Sequence, residues 1–137
     1  MMKILLLAAG ILLAVSCSVH KSHSVEKVFV VNIKPGEENL QAYLNYHQHI
    51  WPEVEAGFRK AGYEDIRLFR SEHTVVMIVT VPEGADLDAM GKKAEASHPR
   101  CAEWNRLMAG YQEGVTGTSP GQTWSAMEPL YHFSGSR

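Results

Sequence analysis

The chain has 137 residues, of which 45% are hydrophobic and 20% are charged. This composition is ordinary for a single globular domain with one core. The formal net charge is -2, and the basic residues are scattered along the chain. Because no basic patch is available to follow a phosphate backbone, the sequence argues against nucleic acid as a partner.

Residues 1–16 have the layout of a secretory signal peptide. A lysine at position 3 precedes a short apolar run over residues 4–15, which ends in small residues before Cys17. The run is shorter than the roughly 20 apolar residues that a membrane-spanning helix needs. A cysteine at this point resembles the lipidated residue of a bacterial lipoprotein, although Ala14 stands where a large aliphatic residue is usual. We predict cleavage before Cys17 and a lipid on its sulfur; a plainly cleaved export signal and an uncleaved anchor are the alternatives.

This N-terminus predicts an exported protein, located in the periplasm or at the outer membrane, that touches a membrane only through its lipid. Residues 17–24 are a polar linker, and residues 25–135 form the domain.

If Cys17 carries lipid, Cys101 is the only remaining thiol, so an intramolecular disulfide is impossible. Cys101 lies in a helical pattern, where a lone cysteine is typical of a small core residue.

The domain begins with a predicted strand over residues 25–33, VEKVFVVNI. Its β-branched residues fall on both faces, which indicates a sheet that is covered by helices. Residues 35–36 are Pro-Gly and end the strand, and two glutamates at 37–38 begin a helix. That helix carries Leu40, Tyr43, Leu44 and His47.

The stretch YLNYHQHIWPEVEA, residues 43–56, crosses from this helix into the next one. Helical spacing places Tyr43 and His47 on one face, in a row that Trp51 would join if the helix ran that far, while His49 points away. Pro52 predicts a break and a second helix up to Gly62. Such junctions leave backbone groups unpaired and let side chains point into a pocket.

The rest of the domain alternates between strand-like and helical patterns. Two strand-like runs joined by a tight polar turn predict a hairpin. Two helices follow, with Asp86 as the candidate cap of the first, and then a loop rich in glycine, threonine and serine. A last strand closes the domain. The strands of the hairpin are predicted at residues 65–72 and 73–82, and the two helices at residues 86–95 and 99–111. The loop is predicted at residues 114–122 and the last strand at residues 124–133.

The order strand, helix, strand, strand, helix, strand is that of the ferredoxin-like fold. We therefore predict an α+β domain whose four-stranded antiparallel sheet carries helices on one face. The other face needs cover, and a partner's sheet would supply it in a homodimer, giving a dimeric α+β barrel. The alternative is a monomer in which the open face forms the ligand cleft.

Two side chains of the 43–56 stretch are candidates for chemistry. An ordinary histidine titrates near neutral pH, so His47 can serve as a general acid or base; alternatively, it caps the end of its own helix. Tyr43 can hold a ligand hydroxyl or be a core residue with its hydroxyl at the rim. His47 and His49 do not suit a metal, because helical ligand pairs are usually four residues apart, and the chain has no CxxC motif. We predict no metal and no cofactor.

Four motifs of the chain occur together. They are Tyr43-x-x-x-His47-x-x-Ile50-Trp51-Pro52-Glu53, the strand VVMIVTV, Cys101-x-x-Trp104-x-x-x-Met108, and Met127-Glu128-x-x-Tyr131-x-Phe133. In this combination the chain resembles the L-rhamnose mutarotase family over about residues 25 to 133. The resemblance implies the ferredoxin-like fold, a dimer, and interconversion of the α and β anomers of L-rhamnose or a related deoxyhexose without cofactor or metal.

The resemblance also implies roles for single residues. His47 matches the catalytic proton donor, and Tyr43 matches a sugar-binding tyrosine. Trp104 matches the first of two adjacent pocket tryptophans, whereas Asn105 stands at the second. Ile66 stands where better-known members have a pocket tyrosine. With Asn105 in place of the second tryptophan and Ile66 in place of the tyrosine, the pocket lacks one aromatic wall and one hydroxyl. These differences affect which sugar the pocket accepts.

The leading hypothesis is an exported, lipid-anchored sugar mutarotase that opens and closes the sugar ring by acid/base catalysis. Trp51 and Trp104 would stack on apolar faces of the sugar, and Tyr43 and Asn105 would supply hydrogen bonds. The second hypothesis is a sugar-binding or accessory lipoprotein without turnover. A third, a small monooxygenase on the same barrel, would require oxygen chemistry or haem, and the histidines lie in unsuitable surroundings for it.

Overall fold

The computed structural model describes residues 23–135. The predicted signal sequence and the predicted lipid site, Cys17, lie outside these residues. The described part contains five strands and four helices. In chain order they are β1 (Ser24–Ile33), α1 (Glu37–Gln48), α2 (Pro52–Ala61), β2 (Asp65–Ser71), β3 (Thr74–Pro82), α3 (Leu87–Ala96), α4 (Pro99–Tyr111), β4 (Gln112–Glu113) and β5 (Ser125–Met127).

The strands form one antiparallel sheet with the order β2-β3-β1, and two short strands share the remaining edge of β1. β4 pairs with the end of β1 at Asn32 and Ile33, and β5 pairs with its middle, from Val28 to Val30. Together they fill the fourth position of a ferredoxin-like sheet. The predicted α+β, ferredoxin-like fold is confirmed.

The predicted last strand, residues 124–133, is wrong over most of its length. Only β5 pairs with β1, and its last pair joins Met127 to Val28. Continued pairing would place Pro129 opposite Glu26, and proline has no N–H to donate to a ladder. Residues 128–133 consequently leave the sheet and are exposed. The two-residue strand β4 was not predicted, because a pair that directly follows a helix shows no strand periodicity.

The core lies between the sheet and the helices. The residues of β1 and β3 that are buried against the helical layer follow the period of two along each strand; they are Val31, Ile33, Val75, Val79 and Val81. The helices contribute large side chains, two of them aromatic. The buried core cluster comprises Val31, Ile33, Val75, Leu40, Tyr43, Val54, Trp104 and Met108. Between residues 23 and 135, no helix is long and apolar enough to cross a membrane.

The helices begin and end where the sequence predicts. Asp86 caps α3, and its carboxylate accepts a hydrogen bond from the backbone N–H of Ala89 at 3.0 Å. Pro52 is the first residue of α2, and Gly62 ends that helix with a left-handed backbone at φ 100°. Cys101 is buried, as expected for a core residue.

α2 approaches α3 and α4 closely at Gly57. A Cβ added there would lie 2.8 Å from the Ser97 hydroxyl, 3.0 Å from the Ala94 carbonyl oxygen and 3.1 Å from the Cys101 sulfur. We expect Gly57→Ala to lower the free energy of unfolding by about 1–3 kcal/mol, as overpacked cores do. Urea unfolding followed by circular dichroism would measure the loss.

Gly91, in the middle of α3, is the matched control. An added Cβ there has no neighbour within 4 Å. Gly91→Ala should raise stability by up to about 1 kcal/mol through helix propensity alone. The close approach of α2 is contradicted if the two variants prove equally stable.

Candidate active site

The junction between α1 and α2 places His47 in the last turn of α1. The helix ends at Gln48, and His49 caps it with an exposed side chain. Trp51 then adopts an extended backbone, with φ -65° and ψ 133°, ahead of Pro52. Because the first helix stops before Trp51, this ring does not continue the row of Tyr43 and His47.

His47 has a defined protonation state. Its Nδ1 lies 2.9 Å from the carbonyl oxygen of Tyr43, one turn earlier in α1. A carbonyl oxygen can only accept, so Nδ1 carries the proton and Nε2 keeps a lone pair. Burial lowers the pKa of His47 below its ordinary value, and the hydrogen bond to Tyr43 opposes this shift only in part. Near neutral pH the ring is therefore a neutral base. The Tyr43 carbonyl lies inside α1 and is not one of the last four carbonyls of the helix, so this bond orients the ring and does not cap the helix end.

Aromatic rings hold His47 in place. The Tyr43 ring lies 4.2 Å from it, centroid to centroid, and the Trp104 ring meets it edge-on at 5.6 Å. Trp104 in turn packs edge-on against Tyr46 at 6.2 Å and against Trp51 at 5.3 Å. The imidazole thus has little freedom to rotate, which favours a fixed direction for its Nε2 lone pair.

Tyr43 is buried, and its hydroxyl oxygen accepts a hydrogen bond from the side-chain amide of Gln112 at 3.2 Å. Burial raises the pKa of Tyr43, and the Gln112 bond counteracts this only in part. The phenol therefore keeps its proton at neutral pH. Since Gln112 occupies the oxygen as a donor, the hydroxyl proton remains available for donation to another group.

A cleft of about 600 Å³ opens beside His47, between α2 and the strand β2. A smaller cavity of about 350 Å³ adjoins it and shares His47, Phe58, Leu68 and Trp104 with it. These volumes are within the range of roughly 300–1,000 Å³ that small-molecule sites occupy. Apolar side chains form most of the wall, and charged ones lie at the rim. The cleft is lined by His47, Ile50, Val54, Phe58, Tyr63, Ile66, Leu68 and Trp104, with Glu55, Arg59, Glu64 and Asp65.

The structure brings most of the predicted site residues to this cleft. His47, Ile66 and Trp104 line the larger part, and Tyr43 and Asn105 line the smaller part. The Asn105 amide donates a hydrogen bond to the Glu95 carboxylate at 2.8 Å, so its side chain is engaged with α3.

Trp51 lies apart from the other predicted residues, on the far side of Trp104. The guanidinium of Arg100 lies 3.7 Å above the centre of its ring, and the same guanidinium lies near the Glu53 carboxylate, 3.8 Å away. Trp51 therefore packs against Trp104 without lining the cleft, and one face of its ring is covered by a cation.

Several residues at the cleft were not predicted. Leu68 lies two residues after Ile66 on the same strand face, so the period of two could have identified it. Phe58 has the helical spacing of a core residue, and nothing in the sequence around it indicated a place in the site. Gln112 and Trp124 are brought in by β4 and by the chain ahead of β5, and no motif around them indicates a site.

The chain is similar to several known proteins. Residues 26–133 match the L-rhamnose mutarotase family. An L-fucose mutarotase of Xanthomonas campestris pv. campestris is 33% identical over 109 residues, which cover 77% of this chain and 86% of that protein. A UPF0734 protein of Dictyostelium discoideum is 25% identical over 119 residues, 85% of this chain and 91% of its own length.

Among solved structures, L-rhamnose mutarotase from Formosa agariphila shares the fold with a TM-score of 0.55. At 20% identity, the match covers 80% of this chain and 99% of that one. The family match spans the sheet from Glu26 onward, the four helices of the described part of the chain and every residue that borders the cleft. The chain therefore belongs to the L-rhamnose mutarotase family.

Proposed function

We propose that the protein interconverts the α and β anomers of a 6-deoxyhexose of the L-rhamnose or L-fucose type. The observation that carries this proposal is His47, a neutral base whose Nε2 lone pair is held beside a cleft of sugar size. Membership of the family supports the reaction class, and the L-fucose mutarotase among the relatives supports the type of sugar.

Mutarotation needs two proton transfers. The anomeric hydroxyl loses a proton while the ring oxygen gains one, which opens the ring to the aldehyde; closure on the other face of the carbonyl gives the opposite anomer. Neutral His47 takes the first proton on Nε2 and becomes the imidazolium, which then returns a proton to oxygen. The resemblance implies a proton donor at this position, and the lowered pKa means that the cycle starts from the base. The Tyr43 hydroxyl or a water fills the complementary role.

The walls of the cleft suit a sugar that carries a methyl group. Ile66 and Leu68 project from β2 toward the helices, and Phe58 and Trp104 face them across the cleft. These side chains offer contact to a C6 methyl group and to the C–H face of the ring, but no hydrogen bond to a C6 hydroxyl. A hydroxyl buried there without a partner would cost about 1–3 kcal/mol.

Anomer exchange measured by saturation-transfer NMR tests the proposal. L-Rhamnose and L-fucose should exchange faster with the full-length protein than in buffer, and L-mannose and L-galactose, their 6-hydroxy counterparts, should gain about 5- to 100-fold less. Binding of every sugar without faster exchange would contradict the enzyme proposal and indicate the sugar-binding alternative.

The pH dependence should follow the pKa of His47. Since the base form works and burial lowers its pKa, kcat/KM should be constant above the ordinary histidine value of about 6.5. It should fall only at more acidic pH, as His47 becomes protonated in the free protein. Rates corrected for the protein-free reaction over pH 4–9 would measure this limb. A rate that rises as the pH drops through about 6.5 would show that the imidazolium is the working form.

We further propose that the protein acts outside the cytoplasm, as a homodimer held to a membrane by a lipid on Cys17. The signal-like N-terminus supports export, and the half-buried apolar residues on the open face of the sheet, among them Val28, Val30 and Ile78, support a partner. Mass spectrometry of the mature N-terminus would test lipidation; an unmodified Cys17 would contradict it.

A further inference from the structure

Gln112 is the one buried residue with an amide or charged side chain among residues 23–135. It is 8% exposed, whereas the other buried side chains of this part of the chain form the hydrophobic core. A buried amide without a partner costs about 1–3 kcal/mol, and an apolar side chain of similar length would fill the same space without that cost. The bonding partner of this amide therefore distinguishes Gln112 from a residue that only fills the core.

The backbone determines what the amide of Gln112 can reach. Gln112 directly follows α4, and as the first residue of β4 it pairs with Ile33 of β1. From this position its side chain meets α1, where the amide nitrogen donates a hydrogen bond to the hydroxyl oxygen of Tyr43 at 3.2 Å. Both residues are buried, so the bond is shielded from water. A shielded hydrogen bond is stronger than an exposed one and holds the two groups in one geometry.

This hydrogen bond decides where the phenol of Tyr43 directs its proton. A phenol has one proton to donate and an oxygen that accepts. Because the amide N–H occupies that oxygen as a donor, the hydroxyl proton has to point away from the amide nitrogen. No described residue accepts a hydrogen bond from this hydroxyl. The smaller cavity, which Tyr43, His47 and Gln112 all line, is therefore where the proton can find an acceptor.

Tyr43 and His47 place two opposite proton functions side by side. Their ring centres lie 4.2 Å apart, and the phenol donates a proton where the Nε2 of His47 accepts one. In mutarotation, the hydroxyl that loses a proton and the ring oxygen that gains one are bonded to the same anomeric carbon, so the acid and the base have to be neighbours. Of the described residues that line the smaller cavity, only these two titrate.

We propose that Gln112 is a positioning residue, which turns the proton of the Tyr43 hydroxyl into the cavity and so makes Tyr43, and not a water, the acid that works opposite His47. The same amide N–H stabilises the negative charge that develops on the phenol oxygen as the proton leaves. This inference rests on the proposed function, because the sugar is what receives the proton.

The proton transfers balance in both directions. In ring opening, Tyr43 gives its proton to the ring oxygen as the bond between that oxygen and the anomeric carbon breaks, and His47 takes the proton of the anomeric hydroxyl. This leaves the open aldehyde, a phenolate and an imidazolium. In closure, the imidazolium returns its proton to the carbonyl oxygen and the phenolate takes the proton of the sugar hydroxyl that attacks. The bond then re-forms on the opposite face of the carbonyl, and both side chains regain their starting states.

A double-mutant cycle on kcat tests whether Gln112 acts through Tyr43. Gln112→Met keeps the length of the side chain and removes its N–H, so kcat should fall about 2- to 10-fold, the effect of one hydrogen bond. KM should stay within about twofold. Tyr43→Phe should lower kcat about 10²-fold, and adding Gln112→Met to it should cause no further loss, since the group through which Gln112 acts is gone. Saturation-transfer NMR over a range of sugar concentrations measures both constants.

Gln41→Met is the matched control. Gln41 is exposed on α1, and its amide bonds the Glu37 carboxylate at 2.7 Å. Its replacement should leave kcat within about twofold of wild type. The inference is overturned if Gln112→Met keeps the kcat of this control, or if Gln112→Met lowers kcat by the same factor with and without the Tyr43 hydroxyl, as a purely structural role would.

The direction of the hydrogen bond can be tested without any sugar. NMR titration of ¹³C-labelled tyrosine, with the Tyr43 signal identified by its loss in Tyr43→Phe, compares the wild-type protein with Gln112→Met. Loss of a donor to the phenol oxygen should raise the pKa of Tyr43. A lowered pKa would mean that the amide oxygen holds the phenol proton, which overturns the inference even if wild-type protein accelerates anomer exchange. A raised pKa in protein without exchange would support the orientation of the hydroxyl and count against the proposed function alone.

Discussion

Replacing His47 with alanine is expected to lower the rate constant for anomer exchange by about 10²–10⁴-fold, the usual contribution of a general acid or base. The neutral ring with its Nε2 lone pair is a proton acceptor among the apolar walls of the cleft, whereas the carboxylates of Glu55, Glu64 and Asp65 lie at its rim. Tyr43 keeps its proton and cannot replace the lost base, so the acceleration that remains should reflect the positioning of the sugar and proton donation to it. Saturation-transfer NMR at saturating sugar would measure the rate constant.

His49→Ala is the matched control for this prediction. His49 lies two residues away, is exposed, and caps the same helix through its backbone N–H. Its removal should leave the exchange rate within about twofold of wild type, as for a surface substitution worth less than ~0.5 kcal/mol. The assignment of His47 fails if both variants lose the same activity, or if His47→Ala remains fully active with an intact circular dichroism spectrum.

Replacing Trp104 with alanine is expected to cost about 3–5 kcal/mol in the free energy of unfolding, as for other large aromatic residues in a core. Trp104 is buried, packs against His47 and Trp51 among other rings, and belongs to the buried core cluster. Its loss would open a cavity beside the imidazole of His47. Typical domains have only about 5–15 kcal/mol of stability, so this variant is expected to be close to unfolding.

Two further variants keep the test of Trp104 decisive. Trp104→Phe preserves most of the packing and should fold, so that a higher KM with a smaller change in kcat would reveal the contact with the sugar. Trp51→Ala should cost less stability than Trp104→Ala, because Trp51 is only half-buried and lies behind the cleft. Urea unfolding at 25 °C ranks the three variants. A loss below about 1 kcal/mol for Trp104→Ala would mean that the cluster does not depend on it.

Local patterns of the sequence predict much of this fold. The alternation in β1 and β3, the break at Pro52 and the cap at Asp86 each follow from the backbone chemistry of single residues, and each is found in the structure. The fourth strand position could not be predicted in this way. β4 has two residues and β5 has three, so their pairing depends on the free edge of β1 and not on their own periodicity.

The candidate site was predictable to different degrees. The i, i+4 spacing alone placed Tyr43 and His47 together, and the structure adds the hydrogen bond that fixes the imidazole tautomer. Ile66 was predicted to line the pocket only because the resemblance to the family places a tyrosine at its position. Gln112 could not be anticipated, because its amide reaches the Tyr43 hydroxyl across 69 positions of sequence. Trp51 would join the row of His47 only if the helix ran that far, and the helix ends before it.

Anomer exchange measured directly is the best test of whether His47 acts as the base of a sugar mutarotase. Full-length protein and its His47→Ala variant would each be mixed with L-rhamnose and with L-fucose at pH 7. Transfer of saturation between the α and β anomeric signals gives the exchange rate without a coupled assay. We expect the wild-type protein to accelerate the exchange of at least one sugar, and the variant to lose about 10²–10⁴-fold of that exchange rate. Exchange at the protein-free rate with both sugars, or equal acceleration by both proteins, would contradict it.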